Sequence, residues 1–137
     1  MQAAVWAAAE ALVGAGFRLQ GRDAATGLDC VGVIVAAYAA AGVRLDAIDD
    51  YALRGFGLRR AEAALTAAGF GQAKGMIVVG EVGLFALPAR QLHLALLAPG
   101  RVIHADAGLR RVVIAPASRL PEAASRWRWN CGGNCKG

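Results

Sequence analysis

The spacing of apolar and polar positions changes near the middle of the chain. In the first half, "MQAAVWAAAEALVGAG" has the apolar spacing of one helix face and predicts a helix over 3–13. The stretch "DCVGVIVAAYAAAGV" is small and apolar almost throughout, the pattern of a helix over 29–41 buried on most sides. Asp29 supplies an acceptor side chain where the helix starts, and Gly42 stands where a glycine ends one. A third helix is predicted over 58–68, closed by Gly69. Between these lie "GAGFRLQGRDAATG", read as a loop, and "VRLDAIDDYALRGF", read as polar and irregular.

After residue 70 the period shortens. "GMIVVGEVGLFAL", "LHLALLA", "RVIHADA" and "LRRVVIAP" are β-rich runs divided by Pro and Gly. "SRWRWN" alternates so that Trp127 and Trp129 share one face, where core packing accounts for both. Helices first and a meander of strands afterwards predict an α+β domain with an antiparallel sheet.

Composition narrows the picture. A length of 137 residues with 57% hydrophobic residues suits one domain with a true core, and excludes extensive disorder. No repeat or composition break divides it, so a single domain is expected over 1–130, followed by a flexible tail over 131–137. The net charge is +5, carried almost wholly by arginine. A solvated basic face accounts for this, as does an anionic partner such as the acidic polymer of a bacterial wall. The arginines are scattered without interleaved aromatics, which disfavours nucleic acid. No run is long enough to span a membrane. The N-terminal run lacks a positively charged start and is interrupted by Glu10, so it reads as a packed helix rather than a secretion signal.

Candidate chemistry rests on few residues. Cys131 and Cys135 lie in the terminal "NCGGNCKG", where bystander thiols, a local disulfide and half of a metal site all remain open. The last would need two further ligands nearby, and no metal or cofactor is expected. Cys30 stands apart, in the first turn of the central helix. A helix N-terminus favours the thiolate, the reactive form. A free cysteine is also among the most buried residue types, so this stretch alone does not decide its role.

The chain has two histidines, His93 and His104, at the two ends of "HLALLAPGRVIH". A symmetric hairpin about Pro99-Gly100 sets Ala98 opposite Arg101 and Ala95 opposite His104. His93 then faces the same side as His104, a diagonal neighbour about 7–8 Å away and within reach of long side chains. An odd-length turn would send the rings to opposite faces. A cysteine nucleophile, a histidine that shuttles its proton and a polar group that orients that histidine make one recurring constellation.

These residues, in this order, resemble the NlpC-type peptidoglycan cysteine peptidases (the NlpC and p-sixty family). "FRLQG", a loop and "GLDCVG" match the family's nucleophile motif, with the nucleophile on Cys30. "HLALL" matches the strand opened by its catalytic histidine, at His93, and "VIHA" matches its third residue, at His104. The match runs over 14–114. It implies a papain-like fold with the nucleophile helix packed on an antiparallel sheet. It further implies cysteine endopeptidase activity on peptidoglycan stem peptides through an acyl-enzyme. The wording "DCVG" with "IHADAGLRRVV" is closest to members encoded with phage tails and gene transfer agents. That implies a phage-like particle, with tail proteins as partners, assembled in the cytoplasm without a signal peptide and acting at the cell wall.

Three positions depart from the family pattern. Phe17 stands where a tyrosine hydroxyl is thought to assist the oxyanion, leaving backbone donors, Gln20 or Arg18 to replace it beside Asp29. Val31 replaces the serine after the nucleophile. "GMIVV" stands in place of the polar Gly-Asp strand opening. Amidase or acyltransferase chemistry on the same triad, and a non-catalytic wall-binding tail module, stay open.

Overall fold

The structure is a computed structural model that describes residues 1–45, 48, 57–88 and 91–130. Helix α1 covers Gln2–Glu10, and two short strands, β1 (Arg22–Asp23) and β2 (Gly27–Leu28), form a hairpin inside the segment expected to be a loop. Helix α2 covers Cys30–Ala40 and α3 covers Leu58–Ala67. Six strands follow: β3 (Phe70–Ala73), β4 (Glu81–Leu87), β5 (Gln91–Ala98), β6 (Arg101–Asp106), β7 (Arg111–Pro116) and β8 (Ser125–Trp129). They form one antiparallel sheet in the order β3-β8-β4-β5-β6-β7.

The fold class is therefore the expected α+β, but the sheet is only partly a meander. β4 to β7 follow one another, whereas β8 returns to lie between β3 and β4. Strand β3 is an addition to the expected set, because a four-residue segment with one buried side chain, Phe70, carries no readable alternation. β4 opens at Gly80-Glu81 rather than at Gly75-Met76. The polar residue of this opening is Glu81, which is fully buried. Its Oε1 accepts from Arg126 Nη1 and its Oε2 from Arg128 Nη2, each at 2.6 Å, while the Val78 N–H also donates to Oε2 at 3.1 Å. Arg126 donates to the Gly75 carbonyl as well, so one carboxylate ties β4, β8 and the 75–80 connection together.

The main core lies between the helices and one face of the sheet. Val31, Ile34, Ala37 and Tyr38 of α2 pack with Leu94, Leu96, Ile103 and Ala105 of β5 and β6. Phe85, Ala95, Leu97 and Val102 form a smaller cluster from the alternate positions, on the other face. Val43, Leu45 and Ile48, within the segment expected to be polar, are buried in the main core. Most of that segment, and the tail with Cys131 and Cys135, lies outside the described residues. Among the described residues, no helix is long and apolar enough to cross a membrane. Trp127 and Trp129 pack on the main core, as their shared face predicts.

Candidate active site

Cys30 is the first residue of α2, half-buried and packed at the margin of the main core. Asp29 before it is the N-cap, 6% exposed, and three groups donate to its carboxylate. Oδ1 accepts from the Gly32 N–H at 2.8 Å and from Arg22 Nη1 at 2.9 Å, and Oδ2 accepts from the Gln20 N–H at 2.8 Å. Asp29 thus closes the first turn of α2 and anchors the preceding loop to it.

The loop can lie this close only because α2 has a glycine in its first turn. A Cβ on Gly32 would collide with the Gly21 carbonyl oxygen. Gln20 has φ 61°, the left-handed region that a non-glycine side chain adopts at a cost, and its side chain is exposed. Its attachment to Asp29 runs through the backbone alone. Phe17 is half-buried against the main core, and its N–H donates to the Arg110 carbonyl at 2.9 Å. It forms an isolated bridge with Leu28, which keeps it beside the strand leading into Asp29 and Cys30.

Next to its turn the hairpin between β5 and β6 has the expected register, with Ala98 opposite Arg101 and Leu96 opposite Ile103, but the expected pair of Ala95 with His104 is not part of the ladder. Side-chain alternation puts His93, Ala95 and Leu97 on one face with Val102 and His104. The two rings meet edge to face, 5.0 Å between centroids, and His93 Nε2 lies 2.9 Å from His104 Nδ1. The ladder between β5 and β6 stops at Leu96–Ile103 although both strands continue. The imidazole pair spans the place where the strands part.

Burial pushes His93 down to about 4, the neighbouring His104 pushes the same way, and Asp106 opposes both. His104 is also lowered by burial, against the pull of Asp106. Both rings are therefore neutral near pH 7, and in the contact between them one nitrogen donates while the other accepts. With His93 donating from Nε2, its Nδ1 is left as a basic lone pair.

Sequence reasoning missed Arg22, Gly32 and Asp106. Asp106 was the most accessible of them, since it lies two residues after His104 and so faces the same side. Arg22 and Gly32 gave no signal, because their roles depend on how the loop folds back on α2. Among the described residues, no cluster of His, Cys, Asp and Glu has the make-up of a metal site.

No protein-family model matches the sequence, and no curated protein is similar enough to match. Solved structures do match. The NlpC/p60 domain of the peptidoglycan hydrolase SagA superposes with a TM-score of 0.62 at 21% identity, covering 95% of this chain and 98% of that one. The P60 domain of an antigen from M. avium subspecies paratuberculosis gives 0.65 at 17% identity, over 93% of each chain. An NlpC protein of Trichomonas vaginalis gives 0.63 at 16% identity, over 90% of this chain but only 43% of its own. At these identities the likeness is one of architecture: the chain has the papain-like fold of an NlpC/p60 domain.

Proposed function

We propose that this protein is a cell-wall hydrolase, a cysteine endopeptidase that cleaves peptidoglycan stem peptides with Cys30 as nucleophile, His93 as base and His104 as the group that orients it. The observation that carries this reading is the 2.9 Å contact between His93 and His104 on the two strands against which the Cys30 helix packs. The NlpC/p60 fold supports it, since one of the superposable domains belongs to a peptidoglycan hydrolase, SagA.

By side-chain alternation the histidines lie on the sheet face opposite to the α2 contacts, and the proposed mechanism requires the Cys30 thiol to meet His93 where the β5–β6 ladder ends. Catalytic hydrogen bonds of this kind commonly tighten only in the complex with substrate. His93 Nδ1 takes the thiol proton, and the sulfur attacks the scissile carbonyl. The proton passes to the leaving amine, and water then hydrolyses the thioester. The imidazolium formed on the way keeps its Nε2–H on His104 Nδ1, a bond that strengthens as charge develops. The dipole and first N–H groups of α2 stabilise both thiolate and oxyanion.

Digestion of purified muropeptides, followed by mass spectrometry, tests the activity and identifies the bond. New termini that vanish with Cys30→Ala support the proposal, and an intact digest overturns it. A role in a phage-like tail is supported by the wording "DCVG" and "IHADAGLRRVV" alone. Co-purification of the chain with tail particles would test it.

A further inference from the structure

Six arginines of this chain form two contrasting groups. Arg22, Arg126 and Arg128 are each paired with a buried carboxylate, on Asp29 or Glu81. Arg18, Arg110 and Arg111 are exposed, and among the described residues none of the three is in an ion pair. These three converge at one place. Gly16 bridges Arg111 in antiparallel register, and the Phe17 N–H donates to the Arg110 carbonyl at 2.9 Å, so residues 16–18 run beside 109–111.

The tip they form has three other unusual features. It holds both non-glycine residues with positive φ among the described residues, Gln20 and Arg110, each at 61°. It exposes two large aliphatic side chains, Leu19 at 62% and Leu109 at 54%. It is also tied to the nucleophile helix, because the Gln20 N–H is held by Asp29. Strained backbone persists where the surroundings over-determine it, commonly at binding loops.

Register places this tip beside the imidazole pair. Arg111 is opposite Asp106 on β6, two rungs from the pair His104–Val113, and alternation puts it on the histidine face. Two rungs are about 7 Å. Among the described residues Arg111 and Asp106 form no ion pair although they face each other across the ladder, and the Asp106 Oδ1 accepts from the Leu109 N–H at 3.0 Å to shape the turn.

Resting on the peptidase reading above, we infer that Arg110 and Arg111 are specificity residues that receive a free carboxylate of the substrate peptide close to the scissile bond. A guanidinium beside an aliphatic surface suits a residue that combines a carboxylate with an alkyl stretch. A substrate whose carboxylate is replaced by a primary amide keeps its shape and loses the charge-assisted bond, worth roughly a factor of ten.

The test uses the tripeptide L-Ala-γ-D-Glu-diaminopimelate and the same tripeptide with the glutamyl α-carboxylate converted to its amide. Steady-state kinetics of the full chain should show about a tenfold preference for the free acid, expressed in KM. The double variant Arg110→Asn, Arg111→Gln should bring the ratio near one, and Arg111→Lys should leave it intermediate. A wild type without preference, a double variant that keeps it, or an equal loss for both peptides overturns the inference. Calorimetric binding of both peptides to Cys30→Ala protein gives the same ratio without turnover. If no peptide is cleaved, the catalytic reading falls while this ratio still decides the inference; failure of both peptides to bind counts against it.

Discussion

A histidine held near pKa 4 is neutral where most hydrolases work, so on the proposed mechanism His93 acts as a base rather than as half of a resting ion pair. Cys30→Ser and Cys30→Ala should then abolish turnover with little change in melting temperature, because the side-chain volume barely alters. His93→Ala should be comparably severe. His104→Ala should cost less, since water can take its place on Nε2; a larger loss than for His93→Ala would reverse the two roles. The rate of iodoacetamide labelling gives a second check, as an activated Cys30 should react near neutral pH well ahead of the tail thiols. Phe17 carries the departure from the pattern of the family that the sequence resembles. A side-chain donor at the oxyanion is worth roughly 2.7–4 kcal/mol, about two to three powers of ten in rate. Phe17→Tyr should therefore raise kcat on a stem peptide with KM nearly constant, because the gain arises only in the transition state. An unchanged kcat would mean that the backbone of α2 alone builds the oxyanion site.

At the scale of elements, helix α2, which carries the proposed nucleophile, depends on a loop it does not contain. Asp29 joins the Gly32 N–H, Arg22 and the Gln20 N–H at one carboxylate, and the bare Cα of Gly32 lets the Gly21 carbonyl approach. Asp29→Ala should cost about 1–2 kcal/mol as a lost N-cap. Activity should fall further than stability does, since the loop bearing Phe17 and Gln20 is released as well. Gly32→Ala should act in the same direction at about 1–3 kcal/mol, as overpacking does. Thermal melts beside kinetics would separate the two effects, and wild-type turnover in either variant would show that the loop contributes nothing to the site. The β5–β6 pair gives a pH signature. His93 moves from its ordinary 6.5 to about 4 in the native state, so between those values the unfolded chain binds a proton that the native chain refuses. Stability should be full above pH 6.5 and fall as acid is added down to about pH 4, at up to about 1.4 kcal/mol per pH unit from this group. His93→Gln should flatten the decline; a melting temperature level across this window would contradict the buried, neutral ring.

Across the whole molecule, local signals were legible and long-range ones were not. The cap at Asp29, the two-residue turn at Pro99-Gly100 and the shared face of the histidines all follow from neighbours in sequence, and each was readable there. The return of β8 between β3 and β4 joins segments far apart in the chain, and nothing in "SRWRWN" indicates which strands it pairs. Glu81 shows the same limit. Its charge sits in an otherwise apolar run, and only the arrival of Arg126 and Arg128 on β8 makes its burial tolerable. That carboxylate holds the opening of β4 against the last strand, so it serves the fold at a distance from Cys30. Glu81→Gln would leave two guanidinium groups without their counter-charge. A broken buried pair costs about 3–5 kcal/mol, but the Arg128 side chain is 43% exposed and water recovers part of the loss. About 2–3 kcal/mol is therefore expected, a fall in melting temperature of several degrees. Residual activity per folded molecule should stay close to that of the wild type, because neither β8 nor the 75–80 connection carries a residue of the proposed triad. A variant as stable as the wild type would show that the arginines find other partners, and a folded but inactive one would tie this ion cluster to the chemistry.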